Sequence, residues 1–204
     1  ELYNNAIWPA PIIAFLLAIG LLIKVFGTPD INDRAVSLVI SGFWLWTGIA
    51  YHMLYYAVIN WAAWAFGLLF IVQGFLILWA GTVRCNLFFC YRSGMNRWFG
   101  LILLVVSTTL APVLVLAQGE PLLKAPIVGI APDPTVAFTF GMLIFASDHT
   151  PLYLYIIPTL WCVIAVITAW LVGSADSLVL PLACFVALGV AVKRYYVAKS
   201  KKFE

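Results

Sequence analysis

What most limits this chain is a succession of long apolar runs separated only by short polar turns. A helix that crosses a bilayer needs roughly 20 mostly apolar residues, because each residue rises about 1.5 Å and the hydrocarbon layer is about 30 Å thick. Runs over residues 8–26, 35–59, 61–83, 98–117, 152–172 and 177–196 satisfy that length. A seventh, over 134–147, is short. Hydrophobic residues make up 65% of the chain and charged residues 9%, against about 25% charged in a soluble domain. A chain of 204 residues has one core at most and cannot hide so much apolar surface from water. The sequence therefore predicts an all-α, polytopic transmembrane helix bundle, a single domain over residues 1–204, with lipid as its solvent.

Charge placement gives the predicted threading. With seven crossings, Lys24, Arg34, Arg84, Arg92, Arg97, Lys193, Arg194, Lys199, Lys201 and Lys202 fall on one side and Lys124 alone on the other. Basic residues near span ends are retained in the cytoplasm, which predicts the N-terminus outside and the C-terminus inside. If 134–147 did not cross, the five basic residues of the tail would move outside and the asymmetry would vanish. Lysine and arginine scattered among apolar runs do not form a nucleic-acid surface. The first residues lack the pattern of a cleaved signal peptide.

A 14-residue fifth span would be only about 21 Å long. The segment before it carries Pro121, Pro126 and Pro132 among apolar residues, so it cannot be regular helix and is too apolar for a free loop. We expect it to fold back into the outer leaflet, shielded by protein, since unsatisfied backbone groups are costly in hydrocarbon. A short polar side chain before Pro predicts helix starts at Asp133-Pro134 and Thr150-Pro151. Asn32 or Asp33, and Ser174 or Asp176, are further predicted caps. Trp8, Tyr55, Tyr56, Trp61, Trp98, Tyr153, Tyr195 and Tyr196 lie at span ends and read as interfacial anchors.

The candidate polar positions each carry a structural reading beside a functional one. Asp133, Thr135 and Thr139 stand where an interrupted helix could hold an anion at its N-terminus; the plainer reading makes Asp133 a cap. Gln73, near the middle of the third run, should face another helix. Gly67, Gly74 and Gly81 recur every seven residues on that helix and leave a seam for close packing. Pro112 and Pro158 are hinge or kink positions, with Ser107, Thr108 and Thr109 placed to satisfy the carbonyl that Pro112 frees. His52 shares a helical face with Ser41, Trp44, Gly48 and Tyr55. Placed near the outer surface and opposite His149, it reads as an interfacial histidine bonded to a neighbour rather than a haem ligand. Cys85 and Cys90 in one loop lack a second pair for structural zinc, and a mixed site with Asp148 and His149 is the alternative. The thiols are expected free. No metal or cofactor is predicted, and the recognised catalytic signatures are missing.

The start Tyr3-Asn4-Asn5-Ala6-Ile7-Trp8-Pro9, the run from Ala131 to Gly141 that opens Ala-Pro-Asp-Pro-Thr, and Pro158-Thr159-Leu160-Trp161 resemble a bacterial multi-pass membrane-protein family known as a domain of unknown function, DUF6064. The resemblance covers most of the chain. It implies a multi-helix protein of the bacterial inner membrane and brings no catalytic residue or substrate.

Two functional classes follow. One is a non-catalytic membrane component, a subunit or stabiliser of a larger complex, whose partners are the bilayer and other membrane subunits. The other is a small-solute permease working through the short fifth helix and the Pro-containing spans. A membrane enzyme or redox carrier is a third reading.

Overall fold

A computed structural model of the chain describes residues 2–27, 32–89, 95–147, 150–173 and 178–200. The apolar runs become helices α1 (Leu2–Ala6), α2 (Ala10–Gly27), α3 (Asp33–Trp46), α4 (Ala63–Leu78), α5 (Met95–Ala117), α6 (Pro132–Phe145), α7 (Ile156–Val172) and α8 (Val179–Ser200). Among the described residues there is no strand beyond an isolated antiparallel bridge between Phe89 and Ala146. Four helical stretches are long and apolar enough to cross a membrane: Asp33–Val58, Ala63–Val83, Arg97–Ala117 and Leu152–Val172. Ala10–Val25 is a shorter apolar helix. Ile12, Leu16, Trp64, Leu68, Phe75, Ile102 and Trp170 stand exposed on these helices, a surface that water would penalise and lipid would not.

The short helix α6 lies at the centre. Every one of its residues except Asp133 is buried, and it packs chiefly on α5 and α8, with α7 and α3 completing the enclosure. This removes the difficulty of its length. A helix walled by protein need not match the thickness of a bilayer, provided that its end groups find partners. At its C-terminus Arg194 of α8 donates from Nη1 to the carbonyl of Ile144 at 2.7 Å and from Nη2 to that of Ala146 at 2.8 Å. The Ser147 amide donates to the Phe88 carbonyl at 2.9 Å.

The N-terminal approach to α6 is irregular, as the prolines require, and packed into protein. It contains a 3₁₀ turn over Leu122–Lys124, and Ala125, Val128, Ile130 and Ala131 are buried. Gly129 has φ +82°, and a Cβ there would collide with the Phe43 ring. Glycine fits because it alone adopts this backbone freely and leaves room for the ring. Asn4 of α1 donates to the carbonyls of Leu123 (2.6 Å) and Ala125 (3.1 Å), and the Tyr3 hydroxyl donates to that of Ile130 (3.2 Å). Burial raises the Tyr3 phenol above its ordinary pKa.

Several sequence expectations need correcting here. The N-cap of α6 is Ala131, with Pro132 in the first turn, so the helix starts before Asp133-Pro134 and Asp133 is not its cap. The Thr150 hydroxyl donates back to the Ser147 carbonyl at 2.6 Å, a 3₁₀ turn over Leu152–Tyr155 precedes α7, and the N-caps of that turn and of α7 are Pro151 and Tyr155 rather than Thr150. Asn32 does cap α3, accepting from the Arg34 amide at 3.1 Å. Ser174 and Asp176 lie outside the described residues. So do Cys90, Asp148 and His149 of the mixed metal-site alternative, whereas Cys85, Cys162 and Cys184 are free thiols.

Candidate functional site

The polar side chains of the interior gather around the first turns of α6. Thr135 Oγ1 accepts from the Gly129 amide at 2.7 Å and donates to the Ala131 carbonyl at 2.6 Å. One turn on, Thr139 Oγ1 donates to the Thr135 carbonyl and accepts from Trp44 Nε1, both at 2.8 Å. These two threonines fix the entry of α6 and its contact with α3. Asp133 points the other way, where its Oδ1 accepts from Trp161 Nε1 of α7 at 2.8 Å.

Trp161 joins Asp133 to an aromatic cluster. Its ring meets Phe66, Phe70 and His52 edge-on, with centroids 5.6, 5.1 and 5.2 Å away. Phe70 in turn lies 4.5 Å from Trp44. His52 belongs to a nine-residue π-helical continuation of α3, Thr47–Tyr55, a local form often found at functional sites. Its wider turn carries Tyr55 away from the face of Ser41, Trp44 and Gly48 and leaves it 37% exposed beside Tyr3. His52 stays on that face at 0% exposure. The expectation of an interfacial histidine bonded to a neighbour is therefore corrected: His52 is fully enclosed, and neither ring nitrogen has a hydrogen-bond partner among the described residues.

Two clefts converge on Asp133. The first, about 400 Å³, is walled by Tyr51, Tyr56, Phe66 and Trp161, with Asn60 and Thr168 along its length. The second, about 260 Å³, passes between Tyr51 and the Ser107–Leu114 stretch of α5. Tyr51, Pro132 and Asp133 line both. A third cleft of about 530 Å³ lies away from this cluster, between Trp79, Arg84 and Tyr153.

Of the candidate positions, the structure brings Asp133 and His52 together through Trp161, and Thr135 and Thr139 buttress the same helix. Gln73 lies apart, donating from Nε2 to the Leu154 carbonyl at 2.8 Å. Thr108 donates to the Leu104 carbonyl of its own helix at 2.8 Å. Ser107 does likewise, and Thr109 bonds Val105. None of the three reaches the carbonyl that Pro112 frees, contrary to expectation, because hydroxyls within a helix fold back onto the preceding turn. Helix α5 runs on through Pro112, and Pro158 is the third residue of α7 rather than a break within it.

Gly67, Gly74 and Gly81 lie against the α3 stretch. A Cβ on Gly67 would come within 2.8 Å of the Gly48 carbonyl oxygen, one on Gly74 within 2.8 Å of Leu45, and one on Gly81 would overlap the Ser37 side chain. Ser41 donates across this contact to the Gly74 carbonyl at 2.9 Å.

The sequence reading gave no site role to Tyr51, Tyr56 or Phe66, named Trp44 only as sharing a face with His52, and named Trp161 only within the family resemblance. A signal was present for the two tryptophans. Both fall near the middle of their runs, where an indole N–H cannot reach the headgroups and must find an acceptor inside.

A family model matches residues 1–202, nearly the whole chain. The chain belongs to DUF6064, a family of unknown function. No curated protein and no solved structure matches it. The stretches through which the sequence resembles DUF6064 meet in the fold: Tyr3 and Asn4 hold the carbonyls leading into the Pro-Asp-Pro-Thr turn, and Trp161 binds its aspartate.

Proposed function

We propose that this DUF6064 member is a non-catalytic integral component of a bacterial inner membrane, a single-domain bundle crossing seven times with its C-terminus in the cytoplasm. The observation that carries this is the enclosure of α6, whose threonines and whose neighbours Trp44 and Arg194 are engaged in holding helices together. Thr135 and Thr139 secure its start, Trp44 its flank and Arg194 its end. Gln73 and Thr108 bind backbone carbonyls elsewhere in the bundle.

Two sets of contacts support the alternating threading. At one end Arg34 meets Cys85 (3.1 Å), Asp33 accepts from the Phe89 amide (3.0 Å), and Arg194 reaches Ala146. At the other, Tyr3 touches Tyr51, Tyr55 and Ile130. The first end is rich in arginine and lysine, which suits the cytoplasmic face.

A permease is the second reading, favoured by the two clefts that meet at Asp133. Against it, Phe138, Phe140 and Phe145 fill the bundle along α6 beyond that residue, and neither Pro112 nor Pro158 divides a helix. Purification from native membranes in a mild amphiphile, followed by mass spectrometry, separates the two. A stoichiometric membrane-protein partner is expected. Isolation of the chain alone, together with solute flux in proteoliposomes, would overturn the component reading in favour of transport.

A further inference from the structure

We propose that the cleft between Tyr51, Tyr56, Phe66 and Trp161 is a binding site for an organic ammonium group, with the Asp133 carboxylate as its counter-charge.

Asp133 is incompletely partnered. An ionised carboxylate offers two oxygens and about four lone-pair directions, whereas here one indole N–H reaches Oδ1. Among the described residues no lysine or arginine pairs with it and no second donor bonds it. A charge set among apolar side chains is costly unless a proton neutralises it or an opposite charge meets it. The chain places none there, and two clefts open onto the carboxylate instead.

The walls select the kind of cation. Tyr51 and Tyr56 stand 5.8 Å apart with their planes tilted by 31°, and Phe66 and Trp161 meet edge-on at 5.6 Å. Aromatic faces attract a cation through the ring quadrupole, and boxes of such rings suit alkylated ammonium groups best. A hard metal ion would instead require about six oxygen ligands, and no cluster of three or more metal-ligating side chains occurs among the described residues. An anion would face the carboxylate. The volume of about 400 Å³ falls within the range of small-ligand sites. It holds a methylated or hydroxyethyl ammonium head with room for an apolar extension along Ile164 and Val172, which also line the cleft.

Such a head comes either from a free amine solute or from an ethanolamine lipid. The chemistry is shared, and it is compatible with a component or a permease.

The test uses the full chain in a nonionic detergent, titrated calorimetrically with tetramethylammonium or ethanolamine and, as controls, potassium and acetate. Saturable binding of an ammonium probe but of neither control is expected. Asp133→Asn is expected to weaken it at least tenfold, and Tyr56→Leu, which opens one wall at the rim, at least threefold. Native mass spectrometry in nanodiscs of phosphatidylethanolamine or phosphatidylglycerol then assigns the source. Retention of the ethanolamine lipid, displaced by tetramethylammonium, identifies a headgroup; binding of the free amine without that retention identifies a solute. Absence of saturable ammonium binding in the folded protein would overturn the proposal, as would equal affinity in Asp133→Asn. If that variant does not fold, unchanged affinity in Tyr56→Leu has the same force.

Discussion

Gln73 donates its side-chain amide to the carbonyl of Leu154 at 2.8 Å, the acceptor that Pro158, four residues later, leaves without its helical N–H. A donor in the middle of one helix thus meets the carbonyl that a proline at the start of another leaves open, while Gln73 Oε1 has no partner among the described residues. Replacing Gln73 by Leu should strand the buried carbonyl at a cost of about 1–3 kcal/mol. In a Pro158→Ala background the new amide can take over, so the same replacement should cost clearly less. Thermal unfolding of the four proteins of this cycle in detergent measures the coupling. Equal costs in both backgrounds would dissociate Gln73 from the proline.

Arg194 closes the C-terminus of α6 with a two-pronged contact that the single ammonium of lysine cannot reproduce. Arg194→Ala is expected to lower stability by about 1–3 kcal/mol through the two donors it withdraws from the Ile144 and Ala146 carbonyls. Arg194→Lys should fall between that variant and the parent. Lys193→Ala, at an exposed neighbour, should be near neutral. Melting temperatures that rank these three otherwise would show that the cap is dispensable.

At the α3–α4 seam, Gly67→Ala should cost about 1–3 kcal/mol, because its methyl group meets the Gly48 carbonyl and overpacking is not readily relieved. Gly42→Ala is the control. Its Cβ would meet nothing within 4 Å, and alanine gains roughly 0.5–1 kcal/mol over glycine inside a helix. Opposite shifts in detergent melts are the expected result.

His52 fills space among rings without using either nitrogen in a hydrogen bond to the described protein. His52→Phe should therefore be neutral or stabilising by up to about 2 kcal/mol, since it relieves an unpaired buried polar group. His52→Ala should destabilise through the void it leaves. If the phenylalanine variant proved the worse of the two, the imidazole would have a polar duty beyond packing.

Much of this architecture was legible in the residues because apolar run length and proline position act locally. The apolar runs emerge as helices, Asn32 caps α3, and the proline-rich approach to α6 is irregular and packed into protein. The seven-residue spacing puts Gly67, Gly74 and Gly81 on one face, where α3 and its continuation lie against them. Less legible were features that depend on which helices become neighbours. Nothing in the sequence names Leu154 as the acceptor for Gln73, or Asp133 as the acceptor for Trp161. The π-helical turns around His52 escaped because face assignment assumes a period of 3.6 residues, and Tyr55 was misplaced for that reason. Tyr51, Tyr56 and Phe66 were hidden differently. An aromatic ring at a span end carries the same signal whether it anchors in headgroups or lines a cleft.

A full crossing by α6 fixes the side of the membrane on which residue 200 lies. Single cysteines at Lys199 and at Gln118, introduced after the native cysteines are replaced by serine, can be probed in intact cells with a membrane-impermeant maleimide. The expected result is labelling of the Gln118 site from outside, with the Lys199 site reacting only after the membrane is permeabilised. Labelling of both sites from outside would contradict it, leaving an even number of crossings and α6 as a helix that does not traverse.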